Sequence, residues 1–182
     1  MKNRRSFLKN SALSICAAPF LAAPESVFAN LINNAPLVKQ LEECETFFVR
    51  ENTPITFHIS KAADAVSNIS LLTEELLPQS IIPVHKHLNE DEYFFFSQGT
   101  GLLTIDDTVF SFKPGTAAFI PKNTWHGFTN TGNAKAVFSF GYSPAGFEGF
   151  FREIGTPIGQ EFKQKPKEEF DSIAKKYGMV FK

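Results

Sequence analysis

Two segments gather three of the chain's four histidines, and their spacing limits the possible folds more than any other feature of the sequence. The first reads His85-Lys86-His87-Leu88-Asn89-Glu90-Asp91-Glu92 and runs on into Tyr93-Phe94-Phe95-Phe96. The second runs from Gly115 through Pro121 and Asn123 to His126 and Asn130. Alternate side chains on a strand share a face, so His85 and His87 point together, about 7 Å apart. A turn through residues 88–91 can bring Glu92 back as a third donor, and His126 would arrive from a later strand as a fourth. Imidazole nitrogen and carboxylate oxygen are the usual donors to a divalent first-row metal. The set contains no thiolate, so it does not suit a closed structural zinc site. It would leave one or two positions open to water, O2 or substrate.

The rest of the chain supplies strands to hold these segments. Short apolar runs at 46–50, 55–60, 69–77, 81–87, 93–96, 102–105, 109–112, 117–120, 125–129 and 134–142 are separated by turn signals such as Asp106-Asp107 and Lys113-Pro114-Gly115. Many short strands at even spacing predict a β-barrel or sandwich. The run Tyr93 to Phe96 reads as a strand buried on both faces. Residues 37–43 read as a short helix, and 61–66 as a loop. Beyond Tyr142 the pattern changes to helical spacing. Phe147, Phe150, Phe151 and Ile154 form one stripe, and a second helix is expected over 166–177. The second has Pro166 at its start, Glu168, Glu169 and Asp171 in its first turns, and Lys175-Lys176 before Gly178.

The two histidine segments resemble the paired motifs of the cupin superfamily. In the first motif a His-x-His pair is followed by a Glu and, seven residues later, a Gly; His85, His87, Glu92 and Gly99 fit. In the second, Gly115, Pro121, His126 and Asn130 fall at the family spacing. Fifteen residues separate Gly99 from Gly115, a gap like that of small bacterial cupins. Two glycines are replaced, one by Gln79 and one by Asn123, and Asn tolerates the left-handed backbone such a turn demands. The resemblance implies an all-β fold, a double-stranded β-helix or jelly-roll-like barrel, with short C-terminal helices. It also implies one divalent metal ion per chain (Fe, Mn, Ni, Co, Cu or Zn), held by His85, His87, Glu92 and His126. The spacing to both His87 and Gly99 selects Glu92 over Glu90 and Asp91, which read as solvated turn charges. His58 lies outside both motifs and reads as structural.

The first 29 residues read as an export signal. A basic start, Lys2 to Lys9, precedes an apolar run from Ala12 to Ala23 and the small-residue site Val27-Phe28-Ala29. Arg4-Arg5-x-Phe7-Leu8-Lys9 resembles a twin-arginine signal, which implies passage through that export machinery and a periplasmic or secreted product. The apolar run falls short of the roughly 20 residues that span a bilayer, so no stable membrane anchor is expected after cleavage. Residues 1–29 carry four of the 18 basic and one of the 19 acidic residues, which leaves −4 on residues 30–182. That balance argues against a nucleic-acid partner. Residues 30–182 are long enough for a single cupin domain with its own core, comprising the motifs at 79–99 and 115–130 and a helical extension at 143–182. Cys44 alone remains after cleavage and reads as a part-buried thiol.

Phe occurs 21 times against one Trp and three Tyr, enough to fill a barrel and to line an apolar pocket. Phe94, Phe96, Phe119, Phe128 and Phe140 are the candidate pocket walls. The segment from Tyr142 to Glu153 and the terminal helix resemble small cupins grouped as quercetin-dioxygenase-like. This resemblance implies a metal-dependent dioxygenase acting on a small aromatic or enolic molecule, with Glu92 as general base. A non-catalytic binding cupin, or an isomerase or lyase acting on sugars or oxo-acids, stands beside it. A homodimer is the family-level expectation.

Overall fold

Strand alternation sorts the side chains into an interior and a surface. A computed structural model describes residues 36–182, and within them strands dominate. One antiparallel sheet has the order β11-β1-β2-β3-β10-β5-β8. Its strands are β1 (Glu45–Arg50), β2 (Thr53–Ile59), β3 (Leu71–Leu76), β5 (Asp91–Gln98), β8 (Ala117–Ile120), β10 (Ala136–Ser143) and β11 (Thr156–Pro157). The other has the order β12-β4-β9-β6-β7, from β4 (Ile81–His87), β6 (Gly101–Ile105), β7 (Thr108–Phe112), β9 (His126–Asn130) and β12 (Met179–Phe181). Two sheets facing across an aromatic core form the jelly-roll barrel that the sequence predicted. Helices α1 (Lys61–Asp64), α2 (Glu148–Ile154) and α3 (Lys167–Lys176) are short. No helix among the described residues is long and apolar enough to cross a membrane. The export signal expected at residues 1–29 lies outside the described residues.

The core follows from register. On β3, β10 and β5 the inward residues line up in rows: Leu72, Phe140 and Phe94 in one, and Glu74, Phe138 and Phe96 in the next. From the opposite sheet come Leu103, Phe112 and Phe128, all buried. The rings meet edge to face, as Phe128 and Phe138 do at 4.9 Å and 90°, or stacked, as Phe96 and Phe112 do at 4.1 Å.

Several expectations need correction. The run Tyr93 to Phe96 is not buried on both faces: Phe94 and Phe96 point inward, whereas Phe95 is half exposed at the surface. By the same alternation Phe119 on β8 is 62% exposed, so it lines no pocket. The helix expected at 37–43 shrinks to one 3-10 turn, Leu41–Glu43. The loop expected at 61–66 contains a helical turn, α1, whose first orphan N–H groups are met by Ser60, which accepts from Ala63 N. The gap between the runs expected at 46–50 and 55–60 is shorter than they imply, because Thr53 and Pro54 already belong to β2.

Both missing glycines are at left-handed positions. Asn123 has φ 68° and Gln79 φ 62°. Gln79 anchors its turn by donating from Nε2 to the carbonyls of Thr131 and Gly132. Asn130 ties the same region together: its Nδ2 donates to the carbonyls of Leu76, Leu77 and Ala134, and its Oδ1 accepts from Gly132 N.

Candidate metal centre

β4, β5 and β9 bring His85, His87, Glu92 and His126 together. His85 and His126 are paired across β4 and β9. A register shift between Ile82 and His85 sets two β4 residues, Pro83 and Val84, against one on β9, Gly127, and Pro83 has no N–H to give. The shift turns the Pro83 carbonyl toward the His85 ring, whose Nδ1 lies 2.7 Å away. The Thr124 carbonyl stands 3.0 Å from Nδ1 of His126 in the same way. Each carbonyl fixes a proton on Nδ1 and leaves Nε2 free to face inward. The turn at 88–90 then returns the chain, and Glu92 on β5 enters opposite β4.

All four residues are buried, and one donor atom from each lies within 4.8 Å of the others, about the span of two metal–ligand bonds. Glu92 Oε2 is 2.7 Å from His126 Nε2 and 3.1 Å from His87 Nε2. The second approach is off the line of the ring N–H, so neither nitrogen of His87 has a hydrogen-bond partner. An orphaned buried imidazole is costly. Three rings converge on the Glu92 carboxylate, yet only His126 bonds it, and a cation at the centre would use the lone pairs of the other rings. These residues therefore fit a divalent ion, and the all-nitrogen-and-oxygen set suits a first-row metal.

The electrostatics are those of a cation site. Burial, then His126 and His87, push His85 down to about 3, so that ring is neutral at ordinary pH. Burial also works against charge on Glu92, but His87 and His126 outweigh it and hold the carboxyl well below its usual range. On His126 burial again opposes charge, and the Glu92 carboxylate overcomes it and raises the pKa.

Two neighbours complete the surroundings. Tyr142 is paired with Glu92 across β10 and β5, and its ring meets His87 edge-on at 5.1 Å. Burial, with the Glu92 charge behind it, raises the Tyr142 hydroxyl well above its usual pKa, so it stays protonated. Phe147, just ahead of α2, closes on His87 at 4.1 Å. Neither was singled out for this role, because only the packing of α2 against β10 reveals it.

His85 and Glu92 form part of the wall of a cavity of about 640 Å³. Phe94, Phe128, Phe140 and Phe147 line it, along with Tyr142 and Phe181. Phe96 lies behind this wall, in the core. Trp125 is not in the cavity wall but packs under Lys86, whose Nζ is 4.6 Å from the ring centroid. His58 is far from the cluster in function: its Nε2 bonds Thr73 Oγ1 at 2.9 Å on the outer face of β2 and β3. Asp91 caps the turn at Lys122 N. Glu90 is not the solvated charge expected, since burial raises its pKa and its Oε2 has no partner.

Residues 72–141 match the family described as the cupin domain, and this stretch holds all four converging residues. An uncharacterised protein of Methanocaldococcus jannaschii is 35% identical over 72 residues, 36% of this chain, and the match spans only 58% of that relative's length. Among solved structures, KdgF from a Halomonas species aligns with TM-score 0.53 and 15% identity, over 62% of this chain and 96% of its own. An RmlC-like cupin from Shewanella frigidimarina gives 0.52 and 13%, over 62% and 95%. An oxalate decarboxylase from Lactobacillus farciminis gives 0.53 and 18%, over 65% and 38%. At these identities the likeness is one of fold.

Proposed function

We propose that the chain is a metal-dependent dioxygenase for a small aromatic or enolic molecule, with one divalent ion held by His85, His87, Glu92 and His126. The observation that carries this reading is that the cluster opens into a cavity walled by phenylalanine. A planar ring is matched to those aromatic walls.

When bound, the ion would supply Lewis acidity that lowers the pKa of a coordinated substrate hydroxyl. The protein does the rest. Glu92, ionised at neutral pH, can accept the hydroxyl proton at a carboxylate oxygen. Tyr142 keeps its proton and can donate to the oxygen left behind. Phe94, Phe128 and Phe140 exclude water and hold the ring flat against the wall. We further propose export by the twin-arginine route, resting on Arg4-Arg5 and the apolar run alone; Lys at both arginines should retain the protein in the cytoplasm.

The test is oxygen uptake by protein reconstituted in turn with Fe(II), Mn(II), Ni(II), Co(II), Cu(II) and Zn(II), offered a flavonol and a catechol. Uptake that depends on metal and vanishes in His126→Ala supports the reading. Stoichiometric metal without uptake for any ion would leave a ligand-binding cupin instead.

A further inference from the structure

The cavity has a second polar feature, away from the histidines. Glu74 lies on the inward face of β3 between Leu72 and Leu76 and is 2% exposed. Its only ionic partner is Arg50 at the end of β1, and both residues line the same cavity as His85 and Glu92. Glu74 engages Nη2 of the guanidinium, and Nε has no partner. Burial pushes Arg50 down to about 10, a sign that its charge is poorly solvated. Its side chain still keeps 40% of its surface open although Nε is buried, so the opening lies along the rest of the side chain. A buried carboxylate such as Glu74 in an aromatic wall costs desolvation that an apolar residue would not. Such a pair is weak evidence of a stabilising role.

Register places the pair relative to the metal site. Glu92 is opposite Tyr142 on β10, and Glu74 is opposite Phe138, four residues along the same strand. That is roughly 13 Å along the strand and about 10 Å across two strand spacings. Phe94, Phe138 and Phe140 occupy the wall between them. The cavity thus has His85 and Glu92 at one point and the Arg50–Glu74 pair at another, with an apolar belt between them.

We infer that Arg50, held in place by Glu74, is the anchor for a substrate carboxylate. The substrate is then an elongated aromatic acid: oxygens for the metal at one end, a ring against the phenylalanines, and a carboxylate on the free N–H groups of Arg50. Guanidinium donors suit a carboxylate better than any other side chain does, and Glu74 fixes the fork so that little entropy is lost on binding. This deepens the dioxygenase reading and rests on it for the metal-binding end alone.

The test uses dihydrocaffeate, a catechol bearing a propanoate chain, and its neutral amide. Binding is measured by calorimetry to full-length protein, metal-loaded and metal-stripped. The carboxylate should bind about ten- to a hundredfold more tightly than the amide, the worth of a charge-assisted hydrogen bond. That preference should disappear in the double variant Arg50→Met/Glu74→Met, which removes both charges and so leaves neither buried alone, with metal content unchanged. Equal binding of acid and amide by the natural protein overturns the inference, as does binding of neither, or a preference that survives in the double variant. A preference that persists in metal-stripped protein supports the Arg50 anchor even if no oxygenase activity is found. Its absence from protein that binds metal normally overturns the anchor and leaves the metal site intact.

Discussion

Nε2 of His126 lies 2.7 Å from Oε2 of Glu92, while Nδ1 of the same ring faces the Thr124 carbonyl at 3.0 Å. A ring that donates at both contacts is an imidazolium, the form that the Glu92 carboxylate favours by raising the ring's pKa. Binding a cation replaces the proton on Nε2 and leaves the Nδ1 bond as it was. A proton and a metal ion would therefore compete for one atom of this site.

The competition predicts a pH dependence. The pKa of His126 is raised above its ordinary value of about 6.5, so the stability its pair with Glu92 gives the ion-free protein is complete below that value and lost as pH rises through the raised pKa. Glu92 is shifted the other way. Its contribution is present above about pH 4.3 and lost as pH falls. Metal uptake must expel the His126 proton, so affinity should fall at least about tenfold per pH unit below the raised pKa. His85, pushed down to about 3, adds no proton in that window. Competition with a chelator between neutral and mildly acidic pH measures the slope, and a flat profile would contradict the assignment of His126 as a ligand.

Removing a ligand should be distinguishable from removing any histidine. His126→Ala should lower metal affinity by more than about a hundredfold, beyond what is usual for residues that merely orient a ligand. His58→Ala, which loses only the contacts to Thr73 and Cys44, should keep about one ion per chain. Elemental analysis of both variants after dialysis decides the matter.

Three of the four converging residues lie close in sequence, and His126 was legible only through the resemblance to the second family motif. His85 and His87 share a face by alternation, and one turn separates them from Glu92. The left-handed turn at Asn123 was legible for the same reason. What escaped depends on register between distant strands. β12 is only three residues long, yet it pairs with β4 so that Phe181 is opposite His85 and Met179 opposite His87. No periodicity marks so short a strand. Phe119 misled because an apolar run does not say which of its residues face inward. Glu74 had a signal, an acid between Leu72 and Leu76 on the inward side of a strand, but the ion pair that explains it needs β1 in place.

The aromatic core should respond sharply to a cavity. Phe138 is buried and packs on Phe128 at 4.9 Å and on Phe96 and Phe140 at 5.5 Å. Phe138→Ala should cost about 3–5 kcal/mol by urea unfolding. Phe119→Ala, at an exposed position on an edge strand, should stay within about 0.5 kcal/mol. Similar losses at both positions would mean that the inward face of the barrel has been misassigned.

The C-terminal strand offers the last prediction, because it braces two of the metal ligands without touching the ion. β12 covers the edge of β4, and bonds from Leu88 N to the Gly178 carbonyl and from Lys182 N to the Val84 carbonyl close the pairing at either end. Met179 is buried, and the Phe181 ring stands 6.0 Å from that of His85. Ending the chain at Gly178 would expose that edge and remove Met179 from the core. Loss of the methionine alone should cost about 2–5 kcal/mol. With β4 freed to move, His85 and His87 should lose their fixed spacing, and metal affinity should fall about ten- to a hundredfold, as when ligand-orienting contacts are removed. Val180→Lys, on the exposed face of the strand, is the control and should leave both quantities unchanged. Unfolding curves and chelator competition on the same samples separate the two effects. A truncated chain that is less stable but binds metal as tightly as the full chain would show that β12 supports the barrel and not the ligands.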